Sequence, residues 1–229
     1  RYTYVNSNAN YAENDAEMVR EYFIKVMGVP AENIYFRTSE KATGTEFQKA
    51  FSPDGYGWLS RRVKPDKSTI YVYYSGHGAP DLETKSAYLI PYDADPNYAR
   101  TTGYALNDLY ANLSRMNPRA AYIFLDACFT GETGRTEKRE TLLADARGAT
   151  IVDRGQVPYQ RLTILTACKN DEISSSYPAA EHGLFTYNLL LALSGAGDAN
   201  GDGKLTVSEM TDYVLTAVSA KAASISTSR

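Results

Sequence analysis

Two side chains in this sequence could do covalent chemistry together: the imidazole of His77 and the thiol of Cys128, 51 residues apart. Each follows a short apolar, aromatic run, STIYVYYSGHG over Ser68–Gly78 and AAYIFLDACFTG over Ala120–Gly131. Runs of that length and composition read as buried strands. A group just past the end of such a strand sits at the carboxyl edge of an open α/β sheet, where ligands bind. A thiol beside an imidazole can lose its proton well below the free-thiol pKa of about 8.5. Gly78 and the amide of Cys128 itself could then offer backbone N–H groups to an oxyanion. The plain alternative is a histidine in a Gly-rich turn and a small buried cysteine. Finding both at strand ends, both amid small residues, favours the pair.

A second pattern suggests a cation. Asp198, Asn200, Asp202, Gly203, Lys204, Thr206 and Glu209 fall at positions 1, 3, 5, 6, 7, 9 and 12 of an EF-hand-like loop, residues 198–209. Side-chain oxygens at 1, 3, 5 and 12, a backbone carbonyl at 7 and a Gly at 6 are what Ca²⁺ requires. A metal-free turn is the alternative.

The elements that must position these groups follow from periodicity. A helix is expected from a cap at Asn14 or Asp15 to about Met27, stopped by Gly28 and Pro30. Asn33–Thr38 reads as a strand. A helix opened by Thr43 or Thr45 runs through Phe51, and Trp58–Val63 resumes it. Ile70–Tyr74 and Ala87–Pro91 read as strands, and Leu106–Met116 as an amphipathic helix. Ala121–Leu125 is the cysteine strand, and Leu162–Ala167 the last strong one. Gly183–Leu193 and Thr206–Ala220 close the chain as helices, with a serine-rich tail expected to fray. Alternation of strands and helices predicts an α/β class with a mostly parallel sheet. Between them, the charged stretch 132–160 reads as a functional or disordered loop.

Composition narrows the class. The chain has 229 residues, enough for one sizeable core, and 43% are apolar. A net charge of −3 gives no basic face for nucleic acid. No apolar run reaches the length of a membrane span. Cys128 and Cys168 could pair, but two cysteines make no disulfide framework, and pairing would silence the thiol. No secretory leader is read. An opening Arg1 rather than Met is compatible with a fragment or a mature form, so the compartment stays open.

YVYYSGHG followed by YIFLDACFTG resembles the caspase/metacaspase superfamily of cysteine peptidases, particularly its prokaryotic caspase-like branch. The motifs are His77-Gly78 and Asp126-Ala127-Cys128, and the likeness extends to Glu13-Asn14-Asp15-Ala16 and to Leu165–Phe185. It implies a three-layer caspase–haemoglobinase-like fold, with helices on both faces of the sheet. It also implies peptide hydrolysis through an acyl-enzyme, His77 as general base and Cys128 as nucleophile. On this reading the chain is a single domain, residues 1–229. Residues 1–131 resemble the large subunit, 132–160 form the linker and 161–229 resemble the small subunit. The family carries an apolar first strand ahead of the Glu13–Ala16 segment, where this sequence has only Arg1–Val5. The missing strand is therefore expected either on a separated N-terminal fragment that completes the sheet as a partner or in sequence outside residues 1–229. A catalytically inactive adaptor of the same fold is the alternative reading.

The resemblance also bears on substrate. Metacaspases carry an acid two residues before the nucleophile and accept Arg or Lys, and Asp126 occupies that place here. Asp15 resembles the second pocket acid. Where caspases place an arginine-bearing segment, this sequence reads Ser174-Ser175-Ser176. A buried carboxylate pair is unfavourable until a cation joins it, and a substrate guanidinium would do so. Asp126 capping a backbone turn is the alternative. Arg135, Lys138, Arg139, Arg147 and Arg154 would make the 132–160 stretch a target for self-cleavage, with a solvated charged loop as the alternative.

Overall fold

Seven-residue runs of β-branched and aromatic residues build the centre of the molecule. The computed structural model describes residues 2–5, 8–81, 83–84, 86–129, 132–133, 140–141, 161–167 and 176–227. In chain order the elements are α1 (Ala12–Lys25), α2 (Gly44–Phe51), β1 (Thr69–Ser75), β2 (Gly78–Pro80), β3 (Ala87–Leu89), α3 (Ala99–Thr102), β4 (Tyr104–Ala105) and α4 (Leu106–Arg115). There follow β5 (Ala120–Asp126), β6 (Glu132–Thr133), β7 (Glu140–Thr141), β8 (Leu162–Thr166), β9 (Ser176–Tyr177), β10 (His182–Gly183), α5 (Leu184–Leu191) and α6 (Val207–Thr227).

The central sheet is parallel, in the order β1-β5-β8. Its two faces are both apolar, as parallel sheets require. Ile70, Val72, Ala121, Ile123 and Leu125 point to one face, where Leu106, Leu109, Leu113 and Met116 of α4 and its C-cap meet them, with Phe47 and Phe51 of α2 alongside. Tyr71, Tyr73, Tyr122, Phe124 and Leu165 point to the other, against Phe185 and Leu189 of α5 and Met210 and Val214 of α6. Phe23 of α1 joins that face through Tyr71, with ring centroids 5.4 Å apart. Tyr71 also stacks on its register partner Tyr122 across the ladder. The result is the mixed α/β, three-layer arrangement expected, with helices on both faces. A small antiparallel ribbon, β2-β3-β4, stands beside it.

Several elements differ from expectation. Asn33–Thr38 is not a strand: a 3₁₀ turn covers Ala31–Asn33, and residues 34–38 carry no ladder. Ile34 is extended in backbone angle, but among the described residues no strand lies beside the segment to bond it. Between it and the outer edge of β1 lie two adjoining cavities of about 480 and 350 Å³, both lined by Tyr35, Phe51, Val72 and Tyr73. Trp58–Val63 forms turns rather than a helix. Ala87–Pro91 is shorter, as β3, and belongs to the ribbon. Helix α1 begins before Asn14, with Tyr11 as its N-cap, so Asp15 lies buried in the first turn and is no cap. The tail expected to fray continues as helix to Thr227. The helix expected over Gly183–Leu193 is α5, followed by a π-helical turn at Ala192–Ala196 with Gly195 at φ 110°. Most of 132–160, with Cys168 and Ser174, lies outside the described residues.

Candidate active site

Strand register brings the two reactive groups to one edge. Ser75 and Asp126 are the last paired residues of β1 and β5, and the Gly76 amide extends the ladder by donating to the Asp126 carbonyl at 3.2 Å. His77 and Cys128 each lie two residues beyond that pair, on strands that neighbour at about 4.8 Å. Their segments touch just past this point. A Cβ on Gly78 would stand 2.7 Å from the Cys128 carbonyl oxygen and 2.4 Å from the Phe129 ring. Only a glycine lets the two segments approach so closely. His77 and Cys128 are 6% and 7% exposed. Cys128 is a free thiol.

The backbone of His77 is held on both sides. Its N–H donates to the Tyr2 hydroxyl at 2.9 Å, and its carbonyl accepts from Ile90 N–H at 3.0 Å and the Tyr74 hydroxyl at 2.7 Å. The Tyr2 ring lies against the imidazole, centroids 4.7 Å apart. Gly76 has no room for a side chain, since a Cβ there would be 2.6 Å from both the Tyr2 and Tyr74 hydroxyls. The Ile90-to-His77 bond also fixes the direction of the next amide. Pairs alternate along an antiparallel ladder, so the Gly78–Leu89 pair is of the non-bonded kind and the Gly78 N–H turns away from β3.

Two carboxylates lie beneath this edge, on the face covered by α1 and α5. Asp15 and Asp126 are both fully buried. Burying a carboxylate is costly unless donors surround it. Asp126 accepts from the Thr186 hydroxyl at 2.5 Å and the Thr186 N–H at 3.3 Å, and the Tyr73 hydroxyl lies 2.6 Å from the same Thr186 oxygen. Asp15 accepts from Gly183 N–H at 3.0 and 3.2 Å, from the Ser75 hydroxyl at 3.1 Å and from His182 Nδ1 at 2.9 Å. Ser75 is the register partner of Asp126, so the two acids are carried side by side. One five-residue segment, His182–Thr186, holds both.

Sequence reasoning placed His77, Gly78, Cys128, Asp126 and Asp15, and the fold brings all five to one edge of one sheet. It passed over Tyr2, Thr186 and the contact of His182 with Asp15. For the last two the sequence offered a histidine and a threonine flanking Gly183-Leu184-Phe185. Tyr2 had no local signal.

The loop at 198–209 is closed by its own hydrogen bonds. Asp198 accepts from the amides of Gly201, Asp202 and Gly203, Asn200 from Asp202, and Asp202 from Lys204. Glu209 accepts from the Thr206 N–H at 3.0 Å and hydroxyl at 2.7 Å, while Thr206 Oγ1 accepts from Glu209 N–H. That is a capping box at the start of α6. The Thr206 N–H and hydroxyl hold the Glu209 carboxyl below its ordinary range. Among the described residues no group of three or more His, Cys, Asp or Glu side chains converges as a metal site.

A thiol and an imidazole at adjoining strand ends of a three-layer parallel sheet define a class, the cysteine hydrolases built on an open α/β edge. The comparison with family models is more particular. A model described as the caspase domain, Peptidase_C14, matches residues 1–228, and the chain belongs to that family of cysteine peptidases. No curated protein matches the chain. Among the described residues no helix is long and apolar enough to cross a membrane.

Proposed function

We propose that this chain is a cysteine endopeptidase that cleaves after Arg, with Lys second, using His77 and Cys128. The observation that carries the reading is the equal offset of the two residues beyond the Ser75–Asp126 pair, with Gly78 packed on the Cys128 carbonyl. His77 takes the thiol proton, and the thiolate attacks the substrate carbonyl. The oxyanion is met by the N–H groups of Gly78 and Cys128. His77 returns the proton to the leaving amine, and water then hydrolyses the acyl-enzyme. Asp126 and Asp15 supply the negative charge for a basic side chain. Fluorogenic peptides ending in Arg, Lys or Asp test this directly. Turnover of the Arg peptide, lost in Cys128→Ala, supports it. Comparable turnover of Arg and Asp peptides refutes the preference, and a Cys128 no more reactive than free thiol towards a peptidyl chloromethyl ketone favours the adaptor.

Three further features are proposals of the same reading. Self-cleavage is placed in the 132–160 stretch, and should vanish in Cys128→Ala. An extended apolar segment from a separate fragment is proposed to fill the cavities along β1. The walls of the smaller one, from Val19 and Phe23 on one side to Phe51 and Leu59 on the other, suit a strand apolar on both faces. Calcium is proposed for the 198–209 loop, held by Asp198, Asn200, Asp202, the Lys204 carbonyl and Glu209. Glu209 would have to leave Thr206, so binding competes with the capping box. The ion would brace the turn between α5 and α6. Isothermal titration giving no calcium heat that Glu209→Gln removes would rule it out.

A further inference from the structure

We propose that His182 sets the affinity of the pocket for basic side chains by controlling the charge around Asp15. The inference rests on the reading of Asp15 and Asp126 as pocket acids. His182 Nδ1 lies 2.9 Å from Asp15 Oδ1, and its side chain is 15% exposed while Asp15 is fully buried. With Asp15 ionised, Nδ1 carries the proton and donates. Neutral His182 leaves the carboxylate its full charge, and a guanidinium entering the pocket is attracted to it. Protonated His182 is itself the cation partnering Asp15, and it competes with the substrate. Reciprocally, a bound guanidinium disfavours protonation of His182.

Among the described residues, Asp15 is the carboxylate in hydrogen-bond contact with the imidazole. From α1, Asp15 faces the imidazole, while Glu13 accepts from Ser39 and Asn14 donates to the Glu181 carbonyl. From β9, Tyr177 is the register partner of His182, and its ring packs on Tyr187 of α5. Glu181 precedes His182 in the turn between β9 and β10. Asp126 is coupled through the same segment, by Thr186. His182 is a positioning residue: it acts on the substrate through Asp15.

An unreactive probe separates this from catalysis. Agmatine, a guanidinium whose charge is constant between pH 5 and 8, is titrated calorimetrically into the Cys128→Ala protein with and without His182→Asn. Asparagine retains an N–H donor for Asp15 and does not titrate. Two cations that share one acid are coupled by about 5- to 150-fold in affinity. Agmatine should therefore bind about tenfold more weakly at pH 5 than at pH 8 when His182 is present. His182→Asn should remove that loss. His77, the only other histidine, is present in both proteins, so the difference between the profiles isolates His182. A purely structural role would lower affinity equally at every pH. Identical pH profiles in the two proteins overturn the inference and leave the pocket reading intact. Absence of agmatine binding at any pH overturns both.

Discussion

Replacing Gly78 by alanine inserts one carbon where the histidine and cysteine segments meet. That carbon would stand 2.7 Å from the Cys128 carbonyl oxygen, and ordinary contact begins at 3.4 Å. The Phe129 ring, 2.4 Å away, can turn aside, but the backbone oxygen cannot. The two segments must separate by roughly 0.7 Å, in an interior packed too densely to absorb it elsewhere. Overpacking of this kind costs about 1–3 kcal/mol of stability. Misplacing reacting groups by about 1 Å costs on the order of 100-fold in rate. Gly78→Ala should therefore remain folded, with a lower urea midpoint, and lose about 100-fold in kcat/KM on an Arg-ended peptide. Gly103→Ala is the control. A Cβ there would stand 2.7 Å from the Ala99 carbonyl oxygen, in the turn between α3 and β4, which β3 separates from Gly78. It should lose comparable stability and keep its activity. If Gly78→Ala cleaves within about threefold of the parent, the close approach of the two segments is not what organises the site.

Thr186→Val removes the hydroxyl that donates to buried Asp126 and faces the Tyr73 hydroxyl, so urea unfolding at pH 7 should show a loss of about 1.5–3 kcal/mol, with Thr186→Ser much closer to the parent. Glu46 accepts from Lys49, Tyr35 and Arg37, which together hold its carboxyl down to about 2. A depressed carboxylate stabilises the fold above its ordinary pKa of 4.5, and that contribution is lost as the pH falls from about 4.5 towards 2. The stability gap between the parent and Glu46→Gln should accordingly narrow over that interval, as followed by thermal unfolding at stepped pH. A gap independent of pH would mean that Glu46 is not ionised against these partners.

The strands that carry His77 and Cys128 were legible because both faces of a parallel sheet are buried, which writes a continuous apolar run into the sequence. Leu106–Met116 was legible for the complementary reason, a single apolar stripe against that sheet. Residues 34–38 misled because their β-branched and aromatic content describes a strand, while a strand also needs a neighbour, and composition does not reveal whether one is present. The 198–209 loop was ambiguous in a different way. Thr206 and Glu209 satisfy the calcium pattern at positions 9 and 12 and the capping box at the same spacing, and the fold uses the capping box. Asp126 read correctly as a buried acid near the thiol, yet its donor Thr186 is 60 residues away and no local pattern joins them. Tyr2 was unreadable for the same reason, lying 75 residues from the amide it holds.

The central claim is that the imidazole of His77 acts on the sulfur of Cys128. The rate of alkylation of Cys128 by iodoacetamide as a function of pH, read peptide by peptide in a mass spectrometer, tests it in the intact chain and in His77→Ala. A working pair predicts a thiolate that forms at or below about pH 7.5 in the parent and reverts towards the free-thiol value of about 8.5 without the imidazole. Two superimposable profiles, both rising near 8.5, would contradict it.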